Sequence, residues 1–372
     1  MKTERIENNP LSGSRIPSLD GLRALSITMV LIDHATVDYA AASGHPVITA
    51  ILGVVGDGNL GVFIFFVISG LLITTLLLKE ERQTGRISLK HFYIRRVFRI
   101  FPAYYSYLAA VAILTACGVI TVRAADFLHA CTFSYIYYFG PWNWYVAHTW
   151  SLSVEEQFYL LWPLLLILLG RKRAVWWGVS IILLCPFVRV AADALGHGVL
   201  RRICFTVGVA RYDVLMMGCL PAILWPSARF QQFLQSLFRW RLHYVAMIGA
   251  LLVTSPLLFT LLSWDRYQAI QTSIEGLGAA LLVYWCVTHT EGPVGRFLNA
   301  RMVRHLGVIS YSIYLWQQLF LTHNPHIVTN NIPADIVLVL IVAHLSYYLI
   351  EQPFLRLRVR SFGRATPRAA SL

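Results

Sequence analysis

The sequence predicts an all-α protein, a polytopic bundle of about ten transmembrane helices with both termini in the cytoplasm. Two observations support this fold class. Of the 372 residues, 57% are hydrophobic and only 13% are charged, whereas a soluble domain carries about 25% charged residues. The hydrophobic residues also occur in runs of about 20, the length that a helix needs to cross a bilayer. A soluble enzyme is therefore excluded, and the lipid bilayer is the first predicted partner.

Ten hydrophobic runs follow one another along the chain, separated by short polar segments. They cover residues 22–41, 59–78, 100–120, 151–169, 174–192, 207–225, 242–262, 270–289, 307–323 and 333–352. The stretch 126–140 is too short and too aromatic for a span, so we predict an interfacial or re-entrant segment there. If it crossed the bilayer instead, every later span would have the opposite orientation.

The basic residues predict the orientation of these spans. With the N-terminus inside, 25 of the 31 Lys and Arg residues fall in cytoplasmic segments, as the positive-inside rule requires. The formal net charge of +13 is then mostly an orientation signal, and no nucleic-acid partner is predicted. We expect a disordered N-terminus over residues 1–18, one membrane domain over residues 19–355 and a basic cytoplasmic tail over residues 356–372.

The cysteines and the N-terminus carry no further targeting or metal signal. No C-x-x-C pair occurs, so we predict buried apolar cysteines and no metal site. The polar segment up to Ser18 is followed by hydrophobic runs without a small-residue cleavage site, so no removable signal peptide is expected. The six cysteines are Cys117, Cys131, Cys185, Cys204, Cys219 and Cys286.

Ionisable residues inside the first span indicate function, although paired structural charges are the alternative. Arg23 and His34 are 11 residues apart, which places them about 20° apart around a helix and about 16 Å apart along it. Asp33 or Asp38 could orient the ring of His34, for which a hydrogen-bonded packing role is the alternative. Asp20 is expected to cap the start of this helix.

Charged residues at the entrances of the third and sixth spans form two further groups. Arg96 and Arg99 lie one helical turn apart at the cytoplasmic entrance of the third span. They could bind phosphate, or they could serve only as positive-inside charge. Arg211 and Asp213 enter the sixth span from outside, where they could pair with each other or with Glu155.

The start of the fourth span carries more polar groups than a helix cap needs. Ser151, Glu155 and Tyr159 form one stripe at i, i+4 spacing, and Gln157 adds an amide. Capping of the helix N-terminus is the alternative role for the carboxylate. Three other polar residues lie near the cytoplasmic ends of the last two spans and are predicted to be structural or of uncertain role: Ser310, Tyr311 and Glu351.

Seven short motifs in order make the chain resemble the membrane acyltransferase-3 family over residues 16–355. They are LDGLRALSITMVLIDH, FFVISGLL, RRVFRIFPAYY, HTWSLSVEEQFYLLWP, RYDVLMMG, GVISYSIYLW and IEQPF. Members of this family O-acylate carbohydrates such as lipopolysaccharide O-antigens, peptidoglycan, nodulation oligosaccharides and macrolide sugars. The resemblance therefore implies an O-acyltransferase of the bacterial inner membrane with a carbohydrate or glycoconjugate as acceptor.

The resemblance also assigns residues. The family's basic residue and histidine in the first span match Arg23 and His34, and many members have a second histidine where this chain has Gln317 and Gln318. No second catalytic histidine is therefore assigned there, and no fused hydrolase-like domain is expected. The family's R-x-x-R and W-S-L-x-x-E-x-Q-F-Y patterns match Arg96, Arg99, Trp150, Ser151, Glu155, Gln157 and Tyr159.

The implied co-substrate is acyl-CoA, with acetyl-CoA as the family's commonest donor. The three arginines would hold its phosphates at the cytoplasmic mouth, and Ser69 and Gly70 would let the donor approach closely. His34 would act as general base or carry the acyl group itself. Asp33, Asp38 and Glu155 would assist it. The expected acceptor-binding residues are Ser151, Gln157, Tyr159, Arg211 and Asp213.

A multispan transporter or flippase for a glycan-related or acyl substrate is the main alternative to an enzyme. Buried charges along a path are also typical of proton-coupled transport. Against this alternative, the sequence shows no interrupted spans at corresponding positions of two halves. A homo-oligomer or a separate acyl-carrying protein is a further possible partner.

Overall fold

A computed structural model describes residues 11, 13, 16–43, 56–194, 211–238, 264–322, 324, 327 and 331–362. Every regular element within these residues is helical, as the predicted fold class requires. The α-helices are α1 (Leu19–Ser43), α2 (Gly58–Thr84), α3 (Leu89–Ala116), α4 (Ala124–Cys131), α5 (Trp144–Ala147), α6 (Thr149–Ala194), α7 (Tyr212–Leu224), α8 (Ala228–Phe238), α9 (Trp264–Thr288), α10 (Pro293–Leu298), α11 (Arg301–Val308), α12 (Ser310–Phe320), α13 (Ile332–Ser346) and α14 (Gln352–Phe362). A 3-10 turn covers Tyr135–Tyr137, and a π-helical segment covers Tyr347–Glu351.

Among the described residues, four helical stretches are long and apolar enough to cross a membrane. They are Gly58–Thr84, Leu89–Ala116, Trp144–Ala191 and Ile332–Arg360. The apolar helix α7 is shorter. The predicted span 242–262 lies outside the described residues, so the number of spans and the side of the termini stay predictions.

Gly170 divides α6 into two antiparallel arms. Its φ of 68° and ψ of 166° interrupt the helical backbone, a conformation that glycine reaches at little cost. Gln157 on the first arm and Arg189 on the second contact neighbouring residues at the start of α7, Tyr212 and Asp213. A straight helix would separate Gln157 from Arg189 by about 48 Å. The chain therefore reverses at Gly170, and α6 contains both the fourth and the fifth predicted hydrophobic runs.

The segment between α3 and α6 enters the bundle and returns to the end from which it came. Where it leaves and returns, Asn143 Nδ2 donates a hydrogen bond to the carbonyl of Thr121 at 2.8 Å. At its innermost point the ring of Phe133 stacks on the fully buried Tyr104, with centroids 4.5 Å apart. A segment whose two ends are hydrogen-bonded to each other does not traverse the bundle, in agreement with the interfacial or re-entrant segment predicted at 126–140.

Helices α2 and α7 pack in backbone contact through two glycines. A Cβ added to Gly218 would overlap the carbonyl oxygen of Val67, and a Cβ added to Gly70 would overlap that of Leu215. The prediction that Gly70 admits an acyl donor is therefore wrong, because its open side is filled by α7. The close approach of the two helices is what requires a residue without a side chain.

Two smaller predictions also need correction. Helix α1 begins at Leu19, so Asp20 lies in its first turn and not at the N-cap position. In the first turn its negative charge still interacts favourably with the positive end of the helix dipole. Three cysteines are buried as predicted, but Cys117 and Cys131 are exposed near the ends of α3 and α4. The sixth, Cys204, lies outside the described residues.

Candidate active site

A cavity of about 380 Å³ lies at the end of the bundle where α1, α2, α5, α6 and α12 meet. His34 forms part of its wall, one turn beyond Val30 on α1. The wall combines imidazole, indole, phenol and carboxylate groups from distant parts of the chain: Asp33, His34, Trp142, Trp144, His148, Trp150 and Tyr314. A pocket that joins aromatic surfaces to titratable groups is typical of a small-molecule site.

His34 is held by α12 and not by a neighbouring aspartate. Its Nδ1 lies 3.1 Å from Gln317 Oε1, and its ring meets Trp144 edge-on with centroids 5.4 Å apart. Asp33 points toward the N-terminus of α2, with its carboxylate against Gly58, because adjacent helical residues lie about 100° apart. The prediction that Asp33 orients His34 is wrong, and the side chain of Asp38 lies outside the described residues.

A second histidine, His148, lines the same cavity and was missed in the sequence. Its side chain is only 2% exposed, and its Nδ1 lies 2.6 Å from Gln318 Oε1. The rings of Tyr107 and Tyr314 meet it edge-on. His148 opens the HTWSLSVEEQFYLLWP motif, and that position was the only signal that could have found it.

A polar column continues from the floor of the cavity. Tyr314, which lines the cavity, lies 2.6 Å from Ser151 through the two hydroxyl oxygens. One turn further along α6, Glu155 Oε1 accepts a hydrogen bond of 2.6 Å from Ser69 of α2. Both Ser151 and Glu155 therefore face the interior on one stripe, as their i, i+4 spacing predicted.

Three arginines surround the inner end of this column. Arg23 of α1 interacts electrostatically with Arg96 and Arg99 of α3, and both Arg23 and Arg96 interact with Glu155. Among the described residues, no carboxylate lies within salt-bridge distance of any of the three. The Nε of Arg23 is buried without a hydrogen-bond partner. Like charges held together in a partly buried site repel each other, so a bound anion would stabilise them.

Comparison with known proteins confirms the family that the motifs indicated. The family described as the acyltransferase domain, acyltransferase-3, matches residues 16–351. The chain belongs to this family. No solved structure matches the chain.

Similar proteins occur in Bacillus subtilis and Staphylococcus aureus. YrhL of Bacillus subtilis (strain 168), named as a candidate peptidoglycan O-acetyltransferase, is 28% identical over 94% of this chain and 56% of its own length. The O-acetyltransferase OatA of Staphylococcus aureus (strain NCTC 8325 / PS 47) is 27% identical over 94% of this chain and 58% of its own length. A candidate O-acetyltransferase of Staphylococcus aureus (strain COL) is 30% identical, over 91% and 57% respectively. The chain thus spans little more than half the length of these relatives.

Two residues expected to bind an acceptor in this acyltransferase-3 chain are used for packing. Asp213 is fully buried and forms an ion pair of 2.6 Å with Arg189, so its predicted pairing with Arg211 is wrong. The amide oxygen of Gln157 accepts hydrogen bonds from the hydroxyls of Tyr137 and Tyr212. Neither of the two lines the cavity, because both lie where the arms of α6 meet α7.

Arg211 and Tyr159 face the column from opposite ends. The Arg211 guanidinium lies 4.4 Å from the centre of the Trp150 ring, on the side of the cavity wall, and its Nη1 is buried without a partner. The ring of Tyr159 lies under the guanidinium of Arg96 at 4.6 Å. Tyr159 is therefore placed among the arginines and away from the cavity, where an acceptor was expected to bind it.

Polar residues of α12 and of the π-helical segment pack near the three arginines. Glu351 is buried in the π-helical segment, accepts a hydrogen bond of 3.3 Å from Ser312 and interacts with Arg99. Tyr311 donates to the carbonyl of Ile100 at 2.9 Å, and Ser310 is buried at the start of α12. These contacts favour the structural roles that the sequence predicted as one alternative. In the described part of the chain, no group of three or more potential ligands could hold a metal ion.

Proposed function

We propose that this chain is an integral membrane O-acyltransferase of the bacterial cell envelope. It would move an acyl group, acetyl in the first instance, from cytoplasmic acyl-CoA to a hydroxyl of a carbohydrate or glycoconjugate. Family membership and the names of the relatives support the reaction class, and YrhL points to peptidoglycan as the first acceptor to test. The single observation that supports it most is the column with unpaired arginines at one end and His34 at the other.

The arginine end suits the donor. Guanidinium groups bind phosphate through paired N–H donors, and acyl-CoA carries its phosphates far from its thioester. Arg23 and His34 are on one face of α1, about 16 Å apart along the axis. An extended pantetheine arm along this face would bring the thioester to the cavity while the phosphates stay among the arginines.

In the proposed reaction, an acceptor hydroxyl attacks the thioester carbonyl carbon. A C–O bond forms, the C–S bond breaks, and the hydroxyl proton passes to His34 and then to the departing CoA thiolate. When Gln317 Oε1 accepts the Nδ1 proton of His34, the Nε2 lone pair is available as the base. General-base catalysis of this kind contributes about 10² to 10⁴ in rate.

The cavity end suits a sugar acceptor. Three tryptophans, Trp142, Trp144 and Trp150, line the cavity beside His34. Indole faces pack against the apolar faces of sugar rings, and few polar groups are then needed to orient the hydroxyls. Arg211 above Trp150 would add a positive charge for an anionic group of the acceptor.

We also propose the ten-span topology with both termini in the cytoplasm and the cavity on the outer side. The helix directions support it. Helix α1 runs toward the cavity and reaches it at His34, and α2 begins beside it at Gly58. Helix α3 runs toward it and contacts His148 through Tyr107, and α6 begins directly after His148. The basic segments then lie at the opposite end. Placement in the inner membrane follows from a cytoplasmic donor and an acceptor on the outer side.

The test is release of CoA from acetyl-CoA by the full chain in proteoliposomes. We expect turnover that increases when the disaccharide of N-acetylglucosamine and N-acetylmuramic acid is present, and that is lost in His34→Ala. A matched control is His289→Ala, since His289 lies at the far end of α9 and does not line the cavity. Transport of the disaccharide without CoA release would favour the transporter, and activity in His34→Ala would remove the histidine from the reaction.

A further inference from the structure

Helix α14 carries a cation that the proposed reaction does not use. The helix continues directly from the π-helical segment and packs against α3. The rings of Phe354 and Phe98 meet there, with centroids 6.4 Å apart. Arg358 follows Phe354 by one turn, on the same side of α14. Because Phe98 is followed directly by Arg99, this packing brings Arg358 to the arginine end of α3.

Arg358 joins the arginines of α3. It interacts electrostatically with Arg95, Arg96 and Arg99. Among the described residues, no carboxylate lies within salt-bridge distance of Arg358, whereas Arg95 is paired with Glu80. Arg358 is also partly exposed, so a ligand from the surrounding solution can reach it. A cation without a counter-charge beside a group of like charges is stabilised by a bound anion.

Arg358 lies further from the cavity than the other arginines do. Helix α12 runs from Ser312 toward the cavity at Gln318, and the chain returns through α13 to Glu351, which accepts a hydrogen bond from Ser312. The backbone stays helical into α14, so the chain continues in the same direction. Seven residues place Arg358 on the same face as Glu351 and about 10 Å further from the cavity. Glu351 itself interacts with Arg99 and not with Arg358.

We propose that Arg358 binds the ribose 3′-phosphate of the acyl-CoA donor, so that the site distinguishes CoA from 3′-dephospho-CoA. In CoA the diphosphate joins the pantetheine arm to the ribose, and the 3′-phosphate lies beyond it. With the thioester at His34 and the diphosphate beside Arg23 and Arg96, the ribose lies on the side away from the cavity. Arg358 is the cation on that side. This inference rests on the proposed function for the identity of the donor.

Helix α14 supplies a matched control for the loss of charge. Arg360 is exposed and lies about 200° around the helix from Arg358. Arg358→Gln and Arg360→Gln each remove one positive charge from the same end of α14, so their long-range effects on an anionic ligand are alike. Only the first variant removes a contact with the 3′-phosphate. Arg358→Lys keeps the charge and can still bind a phosphate as a point charge.

The experiment measures equilibrium binding of CoA and of 3′-dephospho-CoA to the full chain in detergent. We expect the Kd of CoA to rise about tenfold in Arg358→Gln, the lower end for a charge-assisted hydrogen bond because the group is partly exposed. The Kd of 3′-dephospho-CoA should change less than about twofold, since it lacks the phosphate that Arg358 contacts. Arg360→Gln should leave the preference for CoA unchanged, and Arg358→Lys should retain most of it.

Several results would overturn the inference: equal affinities of the wild type for the two ligands, equal losses for both ligands in Arg358→Gln, or an equal loss of the preference in Arg360→Gln. Should Arg358→Gln fail to fold, as shown by its thermal midpoint, loss of the preference in Arg358→Lys with its charge intact would also overturn it. Binding is separate from the proposed reaction. If the wild type prefers CoA through Arg358 but never transfers an acetyl group, the acyltransferase proposal fails and the phosphate site stands.

Discussion

Two neighbouring arginines of α3 give a sharp test of the donor site. Arg95 forms an ion pair of 2.7 Å with Glu80 and is about one third exposed. Arg96 has no carboxylate of the described residues within salt-bridge distance and lies over Tyr159 at 4.6 Å. Arg95→Gln and Arg96→Gln each remove one positive charge from the same turn of the helix. Their long-range electrostatic effects on an anionic donor are therefore alike, and only the local contact differs.

The magnitude follows from the type of contact that each variant removes. A hydrogen bond between Arg96 and a phosphate is charge-assisted, and its loss costs about 1.5–3 kcal/mol. With about 1.4 kcal/mol per factor of ten, the Kd of acetyl-CoA should rise about 10- to 150-fold in Arg96→Gln. Arg95→Gln loses an ion pair near the surface, which stabilises the fold by about 0.2–1 kcal/mol. It removes no local contact with the donor, so the Kd of acetyl-CoA should change less than about threefold. Arg96→Gln should unfold no more easily than the wild type, since it also relieves repulsion with Arg23 and Arg99.

The assay compares two donors that differ only in their phosphates. The KM values of acetyl-CoA and of acetyl-pantetheine, which lacks them, are measured for the wild type and both variants in proteoliposomes. We expect Arg96→Gln to raise the first and to leave the second unchanged. Equal shifts of the KM of acetyl-CoA in the two variants would show that Arg96 serves only as positive-inside charge. An equal rise of KM with both donors would show that the substitution acts on the thioester end.

Three further substitutions test the supports of the site. Gln317→Leu removes the partner of His34 Nδ1 and should lower kcat about five- to tenfold, with an unchanged KM for acetyl-CoA in steady-state kinetics. Gly218→Ala places a methyl group against the backbone of α2 and should destabilise the fold by about 1–3 kcal/mol in thermal unfolding, whereas Gly292→Ala, which meets open space, should not. Asp213→Asn leaves a buried arginine without its counter-charge and should cost about 3–5 kcal/mol, measured by urea unfolding in detergent.

The helices were predictable from the sequence because hydrophobic run length responds to a uniform physical requirement, the thickness of a bilayer. The second run, 59–78, falls inside α2, and the charged RKR sequence at 171–173 follows directly on the turn at Gly170. The interfacial or re-entrant segment was also predictable, because its length is too short for a span. The length of a hydrophobic run does not determine which helices pack together. The backbone contact between Gly218 and Val67 therefore could not be predicted from the sequence.

The candidate site was predictable only where it depends on one helix. Arg23 and His34 are on one face of α1 because of helical geometry alone. The partner of His34 comes from 283 positions away, whereas Asp33 was predicted because it is adjacent in the sequence. The pairing predicted for Asp213 was wrong for the same reason. Arg211 is its near neighbour in the sequence, whereas its actual partner, Arg189, reaches it only because the chain reverses at Gly170.

The FFVISG motif shows why packing and chemistry cannot be separated in this bundle. Ser69 and Gly70 are adjacent, so their side-chain directions differ by about 100° around α2. Gly70 faces α7 and sets how closely the two helices approach, and Ser69 donates to Glu155 in the polar column. A side chain at position 70 would push α2 away from α7 and would move the Ser69 hydroxyl relative to Glu155 at the same time. Gly70→Ala should therefore lower activity without contacting the donor, because it displaces the Ser69 hydroxyl and weakens its hydrogen bond to Glu155.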